Sequence, residues 1–424
     1  MAPRKLVGID EARRIVTAAV TPAEAAAFDL DDALGRVLAE DVLAEAAVPP
    51  FDSSAMDGFA VRAGDVAQAN AARPVALSVR GESRAGSPST DGLDAGQAIR
   101  ISTGAMLPSG ADAVVRVEDA QARDGIVEVL SPVASGHDVR RAGEDIQAGA
   151  TVLRRGRMLG AAELGVLASL GYGGVRCAPA PKVAVLVTGD ELLAPEDEPR
   201  PGAVRDTNSH TIPALVRSAG GEAHRVERVG DDLDATISSL RAVQSDADMM
   251  LICGGISVGA HDHVRPALER LGAREAFWGV ALKPGRPTWF GSLDRTPVFG
   301  LPGNPVSAMV SFLLFVRPAL RALQGGVAEE RRASAVIDRD YEKAAGRAHA
   351  VRCRLTTADD GWHVEPTGAQ GSHILTSMLD ADALAIIPEQ ATRVSSGERV
   401  ELELLDPFGA AKSRASAAPT RAPR

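Results

Sequence analysis

Apolar residues first recur at helical spacing. IDEARRIVTAAV sets Ile9, Ile15, Val16 and Ala19 near one face, and DDALGRVLAEDV repeats the pattern within the first 45 residues. VPPF then breaks it, because proline and the residue before it are pushed out of the helical region. From about 46 to 155 short β-like runs follow, PVALSVRGES, QAIRIST, DAVVRVED and GIVEVLSPV, separated by Gly, Ser and Asp turns. They predict a small β-rich unit. The helical pattern resumes at GAAELGVLASLG, so the first helical unit continues after a β insert.

At Lys182 the pattern changes again. KVAVLVTG is a continuous apolar run ending in glycine, as a parallel strand covered on both faces requires. Helix-like SHTIPALVRSAGG, strand EAHRVERV, helix DLDATISSLRAV and strand DMMLICGG follow. A helix from about His263, strands AFWGVAL and PVFG, and helix PVSAMVSFLLFVRPAL complete the alternation. It predicts a doubly wound α/β domain over roughly 180–325. From about 330 to 406, HAVRCRLTT, GWHVEPTG, DALAIIPEQ and ERVELELL predict a second small β unit. GAAKSRASAAPTRAPR has no apolar periodicity and reads as a disordered tail.

Length and charge narrow the function classes. A chain of 424 residues exceeds one ordinary core, so roughly two to four units are expected. The net charge is −10, which argues against a non-specific nucleic-acid binder. Aromatic content of 3% leaves little for base stacking. An anionic small-molecule substrate then needs a local basic cluster or a metal. Cys177, Cys253 and Cys353 are far apart and make no CxxC pair, predicting neither disulfide framework nor zinc site, and a reducing cytoplasm. MAPRKLVGIDEARRIV turns charged before any apolar run forms, unlike a signal peptide. No run of ~18 apolar residues is seen, so no membrane span is expected.

In an open α/β sheet, ligands sit beyond the carboxyl ends of the strands. Four predicted loops leave such ends: Thr188-Gly189-Asp190-Glu191, Gly230-Asp231-Asp232, Gly254-Gly255-Ile256-Ser257-Val258-Gly259 with Asp262 beyond, and Leu301-Pro302-Gly303-Asn304-Pro305. Taken singly, each is a turn or a cap. Asn304-Pro305 makes a good N-cap and N1 pair, and Asp231 or Asp232 suits the next helix. Four at one sheet edge predict a site. The glycine loop has neither the P-loop lysine nor a G-x-G-x-x-G, yet its N–H groups and the Ser257 hydroxyl can meet an anion. Asp262 would repel phosphate unless a divalent cation intervenes, which predicts phosphate plus Mg²⁺. His261 and His263 stand two apart and suit surface or capping roles better than ligation.

LKPGRPTWFG holds Lys283 and Arg286 close together around a tight turn, either as solvated surface charge or around an oxyanion. PPFDSSAMDGFAVR carries Asp57 in a small-residue loop, and RISTGAMLPSGADAVV carries Thr103 in a similar turn. No H-E-x-x-H, G-x-S-x-G or Cys–His constellation suggests a hydrolytic triad.

FDSSAMDGFA, STGAMLPSGADAVV, VRRAGEDI, TGDEL, DTN, GGISVGAHD, LKPGRP, GLPGNPVSA and GSHI occur in the order of one family. Across about residues 5–406 the chain resembles the molybdenum insertases, that is, the MoeA-type molybdopterin molybdenumtransferases and the gephyrin E domain. The resemblance implies a multidomain fold. It would have an elongated helical subdomain at 1–45 plus 146–180, a β-rich insert at 46–145, a MoaB/MogA-like doubly wound α/β molybdopterin-binding domain at 181–328 and a small C-terminal β-barrel at 329–408, with the tail at 409–424. It implies insertion of molybdenum from molybdate into adenylylated molybdopterin, releasing AMP, in a cytoplasmic homodimer with a composite active site. A molybdopterin-adenylylating protein and molybdoenzymes are the implied partners. Residue by residue, it places Asp57, Thr103, Asp145, Glu191, Asp231 and Asp262 among catalytic positions. Lys283, Arg286, Pro287, Arg352 and Ser372 fall around molybdate. Gly254, Gly255, Ser257, Gly259, Pro302, Gly303 and Asn304 fall around the pterin, and Glu191 with Asp262 would hold Mg²⁺. The family commonly reads SVGE-x-D-Y and KPGKP where this chain has Ala260-His261-Asp262-His263 and Arg286. A tungsten-inserting paralogue and a gephyrin-like scaffold without catalysis are the alternative readings.

Overall fold

KVAVLVT forms the strand its pattern demands. In a computed structural model that describes residues 6–256, 262–326 and 332–405, β1 (Lys182–Thr188) lies between two parallel neighbours. Its Val183, Val185 and Val187 enter one hydrophobic core, while Ala184 and Leu186 enter another on the opposite face. Such a strand has no polar side, which is why its sequence is a continuous apolar run. With β2 (Glu222–Val229), β3 (Met249–Cys253), β4 (Arg274–Trp278), β5 (Trp289–Leu293) and β6 (Thr296–Leu301) it makes a six-stranded sheet in the order β2-β1-β3-β6-β5-β4. Only β5 is antiparallel to its neighbours. The expected strands do not include it, because its residues, WFGSL, stand one residue after the basic turn. Helices Asn208–Ser218 and Pro305–Leu323 cover one face, and Leu233–Gln244 and Val264–Arg270 the other.

Pro305–Leu323 is 19 residues long with mean hydropathy 1.6, enough by length and composition to cross a membrane. That corrects the expectation that no such segment exists; most of this helix is buried inside the fold. Its middle, Phe312–Val316, is a π turn. Pro318 stands four residues after Leu314 and has no N–H to give that carbonyl. Arg13 supplies the donor instead, Nε to Leu314 O at 3.0 Å. The same guanidinium pairs through Nη2 with Glu403, whose other carboxylate oxygen takes Arg317 Nη2 at 2.5 Å. Arg317 also donates to the carbonyls of Leu404 and Leu405. Glu403 is 4% exposed and Arg317 6%.

Glu403 lies on the last strand of a closed five-stranded barrel. Ala348–Ala358 pairs with Gly361–Pro366, which pairs in turn with Arg332–Ile337, then Arg399–Leu404, then Ala383–Ile387, and the last closes back on the first. Leu282–Lys283 adds to the edge of Ala348–Ala358 in parallel, with Lys283 opposite His349.

Contacts divide the chain into two units. Met1–Ala26, Gly35–Ala39 and Arg176–Arg424 make the first, and Ala27–Leu34 with Glu40–Val175 the second. The second is built on a mixed sheet of Ala113–Arg116, Gly58–Val61, Gln97–Ile101, Val75–Ser83, Ile126–Val129 and Ala120–Arg123, in that order. Helix Ile9–Ala18 forms as its spacing predicts, burying Ala12 and Val16. DDALGRVLAEDV does not: only Leu30–Ala33 is helical, Leu34 leaves it in an extended conformation, and Leu38 bridges to Cys177. The residues grouped as one helical subdomain, 1–45 and 146–180, are thus shared between the units, with helix Ile9–Ala18 in the first and Ala161–Ser169 in the second.

Glu403 carries the negative charge between the half-buried Arg13 and the buried Arg317. Glu403→Gln is expected to lower stability by about 3–5 kcal/mol, read as an earlier urea midpoint for the first unit.

Candidate functional site

The strand-end loops of the first unit lock onto one another. Asp231 Oδ2 accepts from Asp190 N at 3.3 Å, and Asp190 Oδ1 accepts from Asp231 N at 3.1 Å, so each carboxylate fixes the other's loop. Asp232, not Asp231, is the helix cap, accepting from Ala235 N at 2.8 Å. Glu191 is exposed, its carboxylate folded over the place a side chain on Gly189 would occupy. Gly254 has φ +96°, and a Cβ there would stand 2.7 Å from Thr188 O, so only glycine lets β3's loop close on β1's end. Gly255 follows in the same turn, and half-buried Asp262 precedes helix Val264–Arg270. Ser257, Gly259 and the Ala260-His261 departure lie outside the described residues.

Asn304 does occupy an N-cap with Pro305 at N1, but its side chain makes no cap bond. Its Nδ2 instead reaches Ser372 Oγ at 3.3 Å, across to the barrel. Between these two residues opens a cavity of about 530 Å³, lined by Lys283, Arg286, Pro287, Pro302, Asn304, Ser307, Arg347 and Ser372 among others. The described lining carries no carboxylate, and Lys283, Arg286 and Arg347 form no ion pair among the described residues. Three unneutralised cations around one hollow favour an oxyanion.

Arg352 sits elsewhere. It is 1% exposed, donating from Nε to Ser377 Oγ at 3.1 Å and from Nη2 to Gly371 O at 3.2 Å. It supports the Gln370–Ser372 wall from behind, and Arg347 is the arginine that lines the cavity. Sequence reasoning missed Arg347, whose one legible signal was its place after Gly346, in the turn that leads into the β run of Arg352. Lys343 Nζ holds it in place by donating to Arg347 O at 2.8 Å. Next to Lys283 on the paired strand, His349 is held down at about 4 by burial and then by the Lys283, Lys343 and Arg347 charges. It therefore stays neutral near pH 7 and adds no fourth charge.

The basic turn is anchored from below. Thr288 Oγ1 donates to Gly285 O at 2.7 Å and shares a hydrogen bond with Ser311 Oγ at 2.9 Å. Gly285 has φ +117°, and a Cβ there would meet Ser311 Oγ at 2.8 Å.

In the second unit, the exposed Asp57 carboxylate accepts from Thr103 N at 2.7 Å and from Thr103 Oγ1 at 3.1 Å. Those two bonds, the backbone one first, hold it below the usual carboxylate range. The sequence-predicted Asp57 and Thr103 are thus brought together. Asp145 is exposed and joined by its backbone N–H to Val48 O. No group of three or more metal-ligating side chains occurs among the described residues.

Two outcomes follow from this geometry. Gly285→Ala is expected to lower the thermal midpoint and weaken oxyanion binding, with Gly285→Ala/Ser311→Ala recovering part of the midpoint because the Ser311 Oγ clash is gone, while the backbone strain and a 3.1 Å approach to Leu282 Cδ2 remain. His349 binds a proton more weakly folded, at about 4, than unfolded, at 6.5. Stability should therefore fall as pH drops from 6.5 towards 4, and His349→Phe should flatten that part of a stability-against-pH curve.

Three family models match in chain order: the MoeA N-terminal region (domain I and II) over residues 7–171, a probable molybdopterin binding domain over 184–322, and the MoeA C-terminal region (domain IV) over 334–405. A molybdopterin molybdenumtransferase of Haemophilus influenzae is 35% identical over 94% of this chain and 98% of its own length. One from Bacillus subtilis is 34% identical over 95% of each. The crystal structure of a molybdopterin biosynthesis MoeA protein from Pyrococcus horikoshii matches with TM-score 0.80 and 32% identity, covering 94% of this chain and 100% of that one. Identity of this order along nearly the whole length places the chain in the MoeA family of molybdopterin molybdenumtransferases.

Proposed function

We propose that this protein transfers molybdenum from molybdate to adenylylated molybdopterin, releasing AMP. The observation that carries the reading is the cavity with three unpaired cations and no carboxylate in its described lining. Molybdate is a tetrahedral dianion. Lys283 offers a point charge, Arg286 and Arg347 offer planar forks, and the Ser307 and Ser372 hydroxyls can fill remaining oxygen positions. The neutral His349 keeps the charge on the groups that reach the hollow. Pro284 and Pro287 restrict the backbone of the turn that carries both cations.

The pterin and its phosphates belong, in this reading, at the glycine loop and the Pro302–Asn304 segment. Asp231 fixes that edge through its lock on Asp190. Glu191 and Asp262 would hold Mg²⁺ together with substrate oxygens, since the described side chains alone form no cage. The ion would offset phosphate charge where two carboxylates stand near a polyanion. Asp57, kept ionised by Thr103, would act on the same substrate, as would Asp145. The homodimer belongs to the proposal, a second copy of the chain completing the active site, as do a cytoplasmic location and exchange with a molybdopterin-adenylylating protein and molybdoenzymes.

The test follows AMP release from adenylylated molybdopterin as molybdate is varied. Each of Lys283→Ala, Arg286→Ala and Arg347→Ala should raise KM for molybdate about 10- to 100-fold, the worth of a charged hydrogen bond. Asp57→Ala should lower kcat instead. Unchanged KM in all three cationic variants would sink the reading.

A further inference from the structure

Helix Asn208–Ser218 begins beside the strand-end loops, and its start is tied down by Asp206. That carboxylate is buried and accepts from Ser209 N at 3.0 Å and from the Ser209 hydroxyl. Asn208 is thereby released from the capping work its residue type usually does at a helix start. It is 5% exposed, and its Nδ2 donates to Gly303 O at 2.8 Å. Its Oδ1 is buried with no partner among the described residues. Because a carbonyl can only accept, the amide end facing Gly303 must be the NH₂, and the orphan is the oxygen. An unpartnered buried carbonyl is a standing cost. Nothing in the local packing offsets it, so what this position supplies is the donor to Gly303.

Gly303 is placed to use that donor. It lies between Pro302 and Asn304, both in the cavity lining, and a Cβ on it would stand 3.6 Å from Gly254 Cα. In a trans peptide the C=O and the following N–H point opposite ways. Drawing Gly303 O inward therefore turns Asn304 N–H away from Asn208, and that N–H has no acceptor among the described residues. We propose that Asn208 is a positioning residue of the oxyanion site: through Gly303 it aims the Asn304 N–H and holds the Pro302–Asn304 wall against the bound oxyanion. The inference rests on the cavity being the molybdate site.

The experiment measures the molybdate dissociation constant by equilibrium dialysis, and amide hydrogen exchange without ligand, on full-length Asn208→Asp, Asn208→Ala and Lys283→Ala. Asp keeps the shape of Asn, but as a carboxylate it cannot donate to Gly303 O and repels it. The expected result is molybdate binding weakened about tenfold in Asn208→Asp, faster exchange confined to Gly303–Ser307, and a cooperative melt retained. Faster exchange throughout the first unit would mean general loosening and overturn the inference, as would unchanged molybdate binding. Should Asn208→Asp not fold, Asn208→Ala is judged on the same two readouts. Lys283→Ala separates the layers. If it loses molybdate while the Asn208 variants bind normally, only this inference falls; if it too binds normally, the molybdate site and this inference fall together.

Discussion

A single buried carboxylate holds the larger unit together. Glu403 neutralises Arg13 from the N-terminal helix and Arg317 from the core helix, and it sits on the barrel strand itself. Such a triad is costly to desolvate, and its contribution lies in uniqueness of arrangement as much as in energy. It fixes the barrel against the helix whose first turn carries Asn304 and Ser307. Lys283 pairing onto the barrel edge makes a second tie. The cavity has one wall on each side of that joint, with Pro302, Asn304 and Ser307 facing Arg347, Gln370 and Ser372. Its width is therefore set by the triad, which lines no part of it, and by the strand pair that carries Lys283.

Charge is distributed around the sheet edge by type. Carboxylates gather at the ends of β1 and β2, where Asp190, Asp231 and Asp232 are spent on loop locks and a cap. Cations gather at the basic turn and the barrel edge, where they form no ion pair among the described residues. Among the described residues the two sets do not pair with each other, so an acidic protein keeps a basic hollow. His349 shows the strength of the local field, since burial and three neighbouring cations together keep its imidazole neutral.

Much of this fold was legible because period follows burial. KVAVLVT had to be a strand covered on both faces, and the βα alternation after it left little choice of topology. DDALGRVLAEDV misled because helical spacing carries no information about the strand partner that Leu38 finds at Cys177, far along the chain. β5 was hidden by the striking chemistry of the residues just before it. In the site, motif position alone marked Arg352, yet burial turned that arginine into a support for Gly371, and the solvent-facing Arg347 took the lining role. Arg347 stands in the turn just before strand Ala348–Ala358 and Arg352 within it, a difference that the run of residues did not mark. Asn304 was legible as a cap by backbone position but not in the use of its side chain.

The π turn in the core helix has a consequence in time. Pro318 leaves Leu314 O to be satisfied by Arg13, and Arg13 in turn needs Glu403, which lies 390 residues further along the chain. At about 5–20 residues per second a ribosome takes roughly 20–80 s to make that stretch. Throughout, helix Ile9–Ala18 lacks the carboxylate that Arg13 pairs with, while the unit built on Glu40–Val175 is whole as soon as Val175 has been made. Helix Ile9–Ala18 is thus locked late: a chain interrupted before Glu403 can pack its apolar face on Pro305–Leu323 but lacks the carboxylate that Arg13 and Arg317 share.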